Sequence, residues 1–462
     1  MTLAIALTPC LISQARAGES VAVAAPGNAG LDALDRKPSQ TPASDTLEGG
    51  IWAEVAKAEH AAKTSGERNA DPALNSYVRG VLSRVAGPYD GDVRLYVMDR
   101  PFFNASMAPT GYTEVWTGLM LRCETEDELA GVLGHETAHF RHSHSLKQFE
   151  ATRTGQNLAL AATLVIATIS AGATANANSY SAMRSINDIT RGLIDLTYLG
   201  TVSALMSYSR ERESEADAYG LAYAHKAGYF TGSAADLWHE IQDETAASDY
   251  ERVRRMGGRA TIFDSHPVEA DRIAAAKARD AELNGGKPSL RTAEEQKAAR
   301  LAYRDHIRPY LGAWLKDDLR RLDYGQTLYL VNRLSVDGQD MGLLNFYKGE
   351  ALRLRNGRRA GGLPTDMDDA VLAYKAALTF PDAPVETWRQ LGDVHRHQFD
   401  FLGAIDAFKH YLALAPNAED AWMVQDQVDT MSKDLMLPAG VAESTSGAEP
   451  KSGAELKSGG TK

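Results

Sequence analysis

The sequence predicts an α+β fold, in which a mainly helical domain with a small edge sheet is followed by an all-α domain. Between residues 51 and 285, stretches with apolar residues at helical spacing surround two strand-like segments, 93–99 and 112–116. After a break containing Gly, Lys and Pro at residues 285–288, the pattern is helical as far as residue 436. The chain has 462 residues, which is enough for two or three domains.

The N-terminus is predicted to be an export signal. An apolar run at residues 3–12 precedes Ala15 and Ala17, whose small side chains flank one residue as in a signal cleavage site. We therefore assign residues 1–17 to a signal peptide, with a disordered cytosolic tail as the alternative. Residues 18–50 are rich in Ala, Gly, Pro and Ser and have no periodicity, so they are predicted to be a disordered linker.

Charge and hydropathy exclude one class of partner and leave another open. The net charge of −12 argues against nucleic acid, because phosphate binding requires a basic surface. Residues 154–183 carry no charge, but a bilayer span needs about 20 strongly apolar residues and this run is only moderately apolar. We predict a buried or membrane-touching helix there, with a true membrane span as the alternative.

A metal-binding pattern lies inside the first predicted domain. His135, Glu136 and His139 form an H-E-x-x-H pattern within a helical stretch. Because residues four apart lie on one face of a helix, both imidazoles can reach one cation. Glu136 lies one residue further round, where it can act on a water at the metal as a general base. Zinc accepts nitrogen and carboxylate ligands and keeps a fourth position open in catalytic sites, so we expect one Zn²⁺ per chain.

A second helical stretch supplies candidate carboxylate ligands. Glu213 and Asp217 are separated by four residues and share one face of the predicted helix. This spacing lets Glu213 be the third ligand while Asp217 hydrogen-bonds the far nitrogen of a ligand histidine. An acidic helix taken alone is more often a solvated surface, so the interpretation depends on its pairing with the histidine pattern.

Together the two motifs resemble a known family. The segments DELAGVLGHETAH and SRERESEADAYG are similar to those of the gluzincin metallopeptidases of family M48. The resemblance implies a zincin-like zinc metalloprotease domain at residues 51–285. In that family the glutamate three residues before the Ala-Asp pair is the metal ligand, which selects Glu213 rather than Glu211 or Glu215.

Two further segments extend the resemblance. Residues 104–120 resemble the edge strand that receives the substrate in this family, so Asn104, Tyr112 and Val115 are candidate substrate contacts. His266, followed by proline, is similar to a family segment that faces the metal cleft. There His266 would either donate a hydrogen bond to the developing oxyanion, or occupy the open zinc position and hold the enzyme inactive.

The C-terminal domain contains a repeat. Two similar stretches begin at Ala370 and Ala404, 34 residues apart. Around the second, the spacing of a tetratricopeptide repeat is given by Trp388, Leu391, Gly392, Ala404, Phe408 and Pro416. We predict a tetratricopeptide-repeat domain at 341–436, a helical connector at 286–340 and a disordered tail at 437–462. Stacked repeats leave a concave groove for peptides or partner proteins, whereas an unrelated helical hairpin would not.

The order of signal, protease domain and repeats is similar to that of periplasmic family members in outer-membrane protein quality control. It implies a periplasmic zinc endopeptidase that acts on unfolded or misassembled envelope proteins, with repeats that contact the outer-membrane assembly machinery. The alternative is a chaperone or assembly scaffold whose metal site is normally closed. An H-E-x-x-H pattern with a non-ligand Glu136 disfavours that alternative, since a structural site needs no general base.

Overall fold

The computed structural model describes residues 36–153, 208–256 and 270–436. The chain divides into two compact units, with the boundary between Gln326 and Thr327. This boundary falls inside the predicted connector and assigns residues 286–326 to the first unit. The predicted signal peptide, the charge-free run, His266 and the C-terminal tail lie outside the described residues.

The first unit is mainly helical and contains a three-stranded sheet, which confirms the predicted α+β class. Its strands are β1 (Arg94–Met98), β2 (Ala105–Met107) and β3 (Tyr112–Trp116). Its helices are α1 (Leu47–Thr64), α2 (Pro72–Ala86), α3 (Thr117–Arg122), α4 (Glu126–Arg141), α5 (His144–Arg153), α6 (Arg210–Lys226), α7 (Ala234–Ala246), α8 (Glu251–Met256), α9 (Ala270–Leu283) and α10 (Ala293–Leu319).

The sheet has the strand order β1-β3-β2. β1 is parallel to β3, with Arg94 opposite Tyr112, and β2 is antiparallel to β3, with Ser106 opposite Glu114. β3 is therefore the central strand, and β2 has one edge that no described strand occupies. The two strands predicted from sequence are β1 and β3; β2 was predicted only as part of the substrate segment.

Residues 36–50, which the composition assigns to the end of a linker, are instead packed against the first unit. Arg36 is buried, and its backbone N–H donates to the carbonyl of Arg141 at the end of α4. The Arg36 guanidinium lies over the ring of Phe140 and pairs with Glu48. α1 then begins at Leu47, capped by the Thr46 hydroxyl. A cation buried between aromatic rings has no signature in composition, so the linker prediction missed it.

A buried ion cluster attaches α10 to the first unit. Arg122, at the end of α3, pairs with Glu244 of α7 and with Asp318 of α10, each at 2.7 Å. All three side chains are almost fully buried. Removing one charged side chain from such a cluster leaves an uncompensated buried charge, which is strongly destabilising. Much of the predicted connector is thus part of the first unit.

The second unit is helical in the described residues. α11 (Tyr324–Leu334) spans the boundary, and is followed by α12 (Met341–Arg355), α13 (Asp366–Ala377), α14 (Glu386–His397), α15 (Phe401–Leu414) and α16 (Ala421–Met436). From α12 to α16, each helix packs against the next. In the described ranges, no helix is both long and apolar enough to cross a bilayer.

Two glycines in the second unit accept an aromatic ring from the following helix. A Cβ on Gly349 would lie 2.5 Å from the ring of Tyr374, and a Cβ on Gly392 would lie 2.5 Å from the ring of Phe408. Phe408 is fully buried in an apolar cluster that includes Ala404 and Tyr411. The same glycine–aromatic contact thus occurs in both of the predicted repeats.

Candidate metal centre

The candidate centre lies where α4 and α6 cross, and two glycines bring their backbones together. A Cβ on Gly134 would lie 2.5 Å from the carbonyl oxygen of Gly220, and a Cβ on Gly220 would lie 2.6 Å from the amide nitrogen of His135. Any larger residue at either position would push the helices apart. The close crossing places the imidazoles of α4 opposite the carboxylates of α6.

His135, His139 and Glu213 form a buried cluster with the spacing of a metal site. The Nε2 atoms of the two histidines are 3.0 Å apart, and each lies 3.5 Å from an oxygen of Glu213. Zinc bonds of 2.0–2.1 Å in a tetrahedron place ligand atoms about 3.3 Å from one another. These donor atoms therefore fit a tetrahedral zinc ion, and they could hold it without a rearrangement of either helix.

Asp217 fixes the orientation of His135. Its Oδ1 lies 2.9 Å from Nδ1 of His135, and both carboxylate oxygens accept hydrogen bonds of 2.7 Å from Arg272. Burial raises the pKa of Asp217, but the charge and hydrogen bonds of Arg272, together with the His135 contact, bring it below its ordinary value. The carboxylate stays charged, accepts a hydrogen bond from Nδ1–H of His135 and so leaves Nε2 of that ring for a metal.

Arg272 is a further residue of the site, and no sequence motif described above includes it. Besides Asp217, its guanidinium contacts Glu213 at 3.1 Å. It thereby balances two buried carboxylates on α6 with one cation from α9. The sequence gives no local signal for this role, because the partners are 55 and 59 residues away.

His139 is also held on the side away from the cluster. Its ring stacks on Tyr208, with centroids 3.8 Å apart, and its Nδ1 lies 2.9 Å from Nδ1 of His144. His142 and His144, which follow α4, are both buried. His142 instead stacks on the ring of Tyr219 and takes no part in the cluster. The turn after α4 folds these rings inward, which helical periodicity does not reveal.

Glu136 lies beside the cluster and is almost fully buried. Its carboxylate accepts a hydrogen bond of 3.2 Å from the backbone N–H of Met107 on β2. In the antiparallel ladder, Asn104 and Ala108 bond to β3, so the groups of Ala105 and Met107 face the other edge. The edge of β2 that no described strand occupies therefore faces Glu136.

The three predicted substrate contacts lie on different parts of the sheet. Asn104 directly precedes β2, and its carbonyl bonds to β3. Tyr112 and Val115 lie on β3, which is paired on both sides. Asn104 lies next to β2, whose other edge no described strand occupies, whereas Tyr112 and Val115 lie on a central strand that has no backbone groups left to offer.

Comparison with known proteins agrees with this geometry. Residues 68–280 match the model of peptidase family M48. Over 213 residues, 44% of this chain and 38% of the relative, the chain is 28% identical to a candidate beta-barrel assembly-enhancing protease of Vibrio cholerae serotype O1. It is also 29% identical over 205 residues to the mitochondrial metalloendopeptidase OMA1 of Schizosaccharomyces pombe, covering 43% of this chain and 50% of that protein.

A third relative is the metalloprotease YcaL of Escherichia coli K12, 31% identical over 170 residues, which are 37% of this chain and 55% of YcaL. The chain thus spans between 38% and 55% of the length of these curated relatives. The chain therefore carries a peptidase family M48 domain in residues 68–280.

Proposed function

We propose that the chain is a zinc-dependent endopeptidase that acts on unfolded or misassembled envelope proteins. The observation that carries the proposal is the placement of Glu136. It lies next to three donor atoms at tetrahedral spacing, yet its carboxylate points to the free edge of β2. A structural metal site needs no such carboxylate, whereas hydrolysis by water requires a base at this position.

The proposed reaction follows from the roles of these side chains. His135, His139 and Glu213 would hold a zinc ion, which would supply a Lewis acid for the scissile carbonyl and make water a better nucleophile near neutral pH. Glu136 accepts the proton from the attacking water and delivers it to the leaving amine. The N–H of Met107 holds the Glu136 carboxylate in place before substrate arrives.

The open edge of β2 indicates which class of substrate the chain could bind. An extended peptide can add to the free edge of a sheet through backbone hydrogen bonds, with little demand on its sequence. β2 is only three residues long and can pair only with a short extended segment. In a folded protein few such segments have unpaired backbone groups. Unfolded or misassembled chains present such extended segments readily. The Vibrio cholerae relative's name, which refers to beta-barrel assembly, supports envelope proteins as the source.

The location and partners belong to the same proposal. We place the enzyme in the periplasm and assign its contact with the membrane to residues 154–183. We assign the binding of the outer-membrane assembly machinery to tetratricopeptide repeats at residues 341–436. The paired helices α12 to α15, each pair with its glycine–aromatic contact, support the repeat assignment. Such repeats offer a groove for peptides.

A degradation assay tests the activity. The purified chain should cleave unfolded casein, lose this activity on treatment with a chelator and regain it on addition of one equivalent of zinc. Cleavage that survives complete removal of metal would contradict the proposal. Suppression of casein aggregation without any cleavage, at full zinc occupancy, would instead favour the chaperone alternative.

A further inference from the structure

A contact between two histidines indicates a role for residues that take no part in the proposed reaction. Nδ1 of His139 and Nδ1 of His144 are 2.9 Å apart, and both rings are buried. One of the two nitrogens must carry the proton, because two lone pairs at this distance repel each other. The metal site decides which one does.

The proton must be on His139. If Nε2 of His139 is to bind a metal, it must offer its lone pair, and the neutral ring then carries its proton on Nδ1. Nδ1 of His139 is therefore the donor and Nδ1 of His144 the acceptor. A neutral His144 that accepts at Nδ1 carries its own proton on Nε2.

That second proton lies near a carboxylate. Nε2 of His144 lies 3.3 Å from Oε2 of Glu215, whose side chain is 37% exposed. The tautomers of both rings are thus determined by one chain of contacts that begins at the metal ligand and ends at Glu215. The negative charge of Glu215 makes Nδ1 of His144 a better acceptor. This strengthens the hydrogen bond that His139 donates to it.

We propose that His144 and Glu215 are positioning residues that hold His139 in its metal-binding tautomer and orientation. The inference rests on the proposed metal site. His135 receives the equivalent support directly, from Asp217 at 2.9 Å. The acidic helix α6 then supplies a carboxylate for each function: Glu213 as ligand, Asp217 behind His135, and Glu215 behind His139 through His144.

The position of His144 explains why Glu215 supports His139 through a second histidine and not by direct contact. His139 lies near the end of α4, where the chain turns at Ser143, whose φ is +53°. This turn brings His144 back toward α4 and inserts its ring between His139 and Glu215. Tyr208 stacks on one face of His139, so the ring is held both on that face and at its Nδ1 edge.

Zinc affinity of the full-length chain, measured by competition with a chromogenic chelator, tests the assignment. His144→Ala should weaken zinc binding by about 10–100-fold, the usual effect of losing an outer partner of a ligand histidine. His144→Gln should restore part of the affinity, because its amide oxygen can accept from Nδ1 of His139. Glu215→Gln should weaken zinc binding by a smaller factor.

Glu211→Gln is the matched control. It removes one carboxylate from the same helix, but Glu211 is exposed and, two residues before Glu213, lies on the opposite side of the helix. It should leave zinc affinity unchanged. Absorption of the cobalt-substituted protein provides a second measurement, since His144→Ala should shift the visible bands and Glu211→Gln should not.

The outcomes separate this assignment from the proposed function. If the wild-type chain binds no zinc, the metal site itself is wrong. If wild type binds zinc and both His144→Ala and Glu215→Gln, folded by circular dichroism, match it in affinity and in cobalt spectrum, the positioning role is refuted. If His144→Ala does not fold, Glu215→Gln and His144→Gln decide the matter.

Discussion

Glu213 and Asp217 lie four residues apart on α6, but they act on the candidate centre in different ways. Glu213 places its two oxygens 3.5 Å from the two histidine Nε2 atoms. Asp217 contacts only the far nitrogen of His135, and it is itself held by Arg272. We therefore assign the first as the proposed metal ligand and the second as the residue that orients a ligand histidine.

Replacing each carboxylate separates these roles. Glu213→Gln should strip zinc or weaken its binding far beyond the effect at Asp217, because a neutral amide is a poor zinc ligand. Asp217→Ala should cost about 10–100-fold in zinc affinity or activity. Metal content after dialysis and chelator competition measure both. Equal and negligible effects would mean that the third ligand comes from another helix.

At the scale of elements, the crossing of α4 and α6 depends on glycine. Gly220→Ala would place a methyl group 2.6 Å from the amide nitrogen of His135, so the helices must separate. We expect a loss of about 1–3 kcal/mol in the free energy of unfolding, the usual range for overpacking. Zinc affinity should fall as well, because His135 moves away from Glu213.

Gly80→Ala on α2 is the control for this change. No heavy atom lies within 4 Å of the Cβ position at Gly80, so the methyl group meets open space. Alanine should stabilise the helix by about 0.5–1 kcal/mol relative to glycine. Chemical unfolding measures both variants. A Gly220→Ala protein as stable as wild type and with normal zinc affinity would contradict the crossing described above.

The contact between α1 and β1 predicts a dependence on pH. Glu59 of α1 accepts hydrogen bonds from Arg94 and Tyr96 of β1. The Arg94 bond lowers the pKa of Glu59 from 4.5 to about 2, against burial, which raises it. A lowered pKa gives stability that is complete above the unfolded value of 4.5 and is lost as the pH falls toward 2.

Glu59→Gln should therefore be less stable than wild type at pH 7, and the difference should shrink as the pH falls from about 4.5 to about 2. Urea unfolding at a series of pH values measures this difference. A stability gap that stays constant across that range would show that the charge of Glu59 does not contribute.

The sequence predicts some of these elements and not others, for physical reasons. His135 and His139 could be proposed as ligands because residues four apart share one face of a helix, and Glu213 because of the family resemblance. His144, Arg272 and the Arg36 segment could not, because each depends on a contact made by the tertiary fold. β2 is too short for a period-2 pattern to be read with certainty. His266 remains a prediction from resemblance, with opposite effects on activity expected for gating and for oxyanion binding.

At the scale of the whole molecule, the unit boundary differs from the domain boundary read from sequence. The pattern places a break near residue 285, where Gly and Pro interrupt the helices. The buried cluster of Arg122, Glu244 and Asp318 nevertheless ties α10 to the first unit. A cluster that joins residues so far apart in sequence leaves no mark on local composition, so the connector looked independent.

The second unit should depend on its glycine–aromatic contacts. Phe408 is fully buried against Gly392, so Phe408→Ala leaves a large cavity. We expect a loss of about 3–5 kcal/mol in the free energy of unfolding of this unit. Hydrogen exchange should show faster opening of α14 to α16. Exchange unchanged from wild type would mean that Phe408 is not a core residue.

The central claim is that Glu136 is the general base of a zinc peptidase and not a metal ligand. Casein degradation by the Glu136→Gln protein, compared with wild type at matched zinc content, tests it most directly. The variant should keep near-stoichiometric zinc and lose at least about 10²–10⁴-fold in cleavage rate, the contribution of a general base. Retained proteolysis, or loss of the metal together with the carboxylate, would contradict the claim.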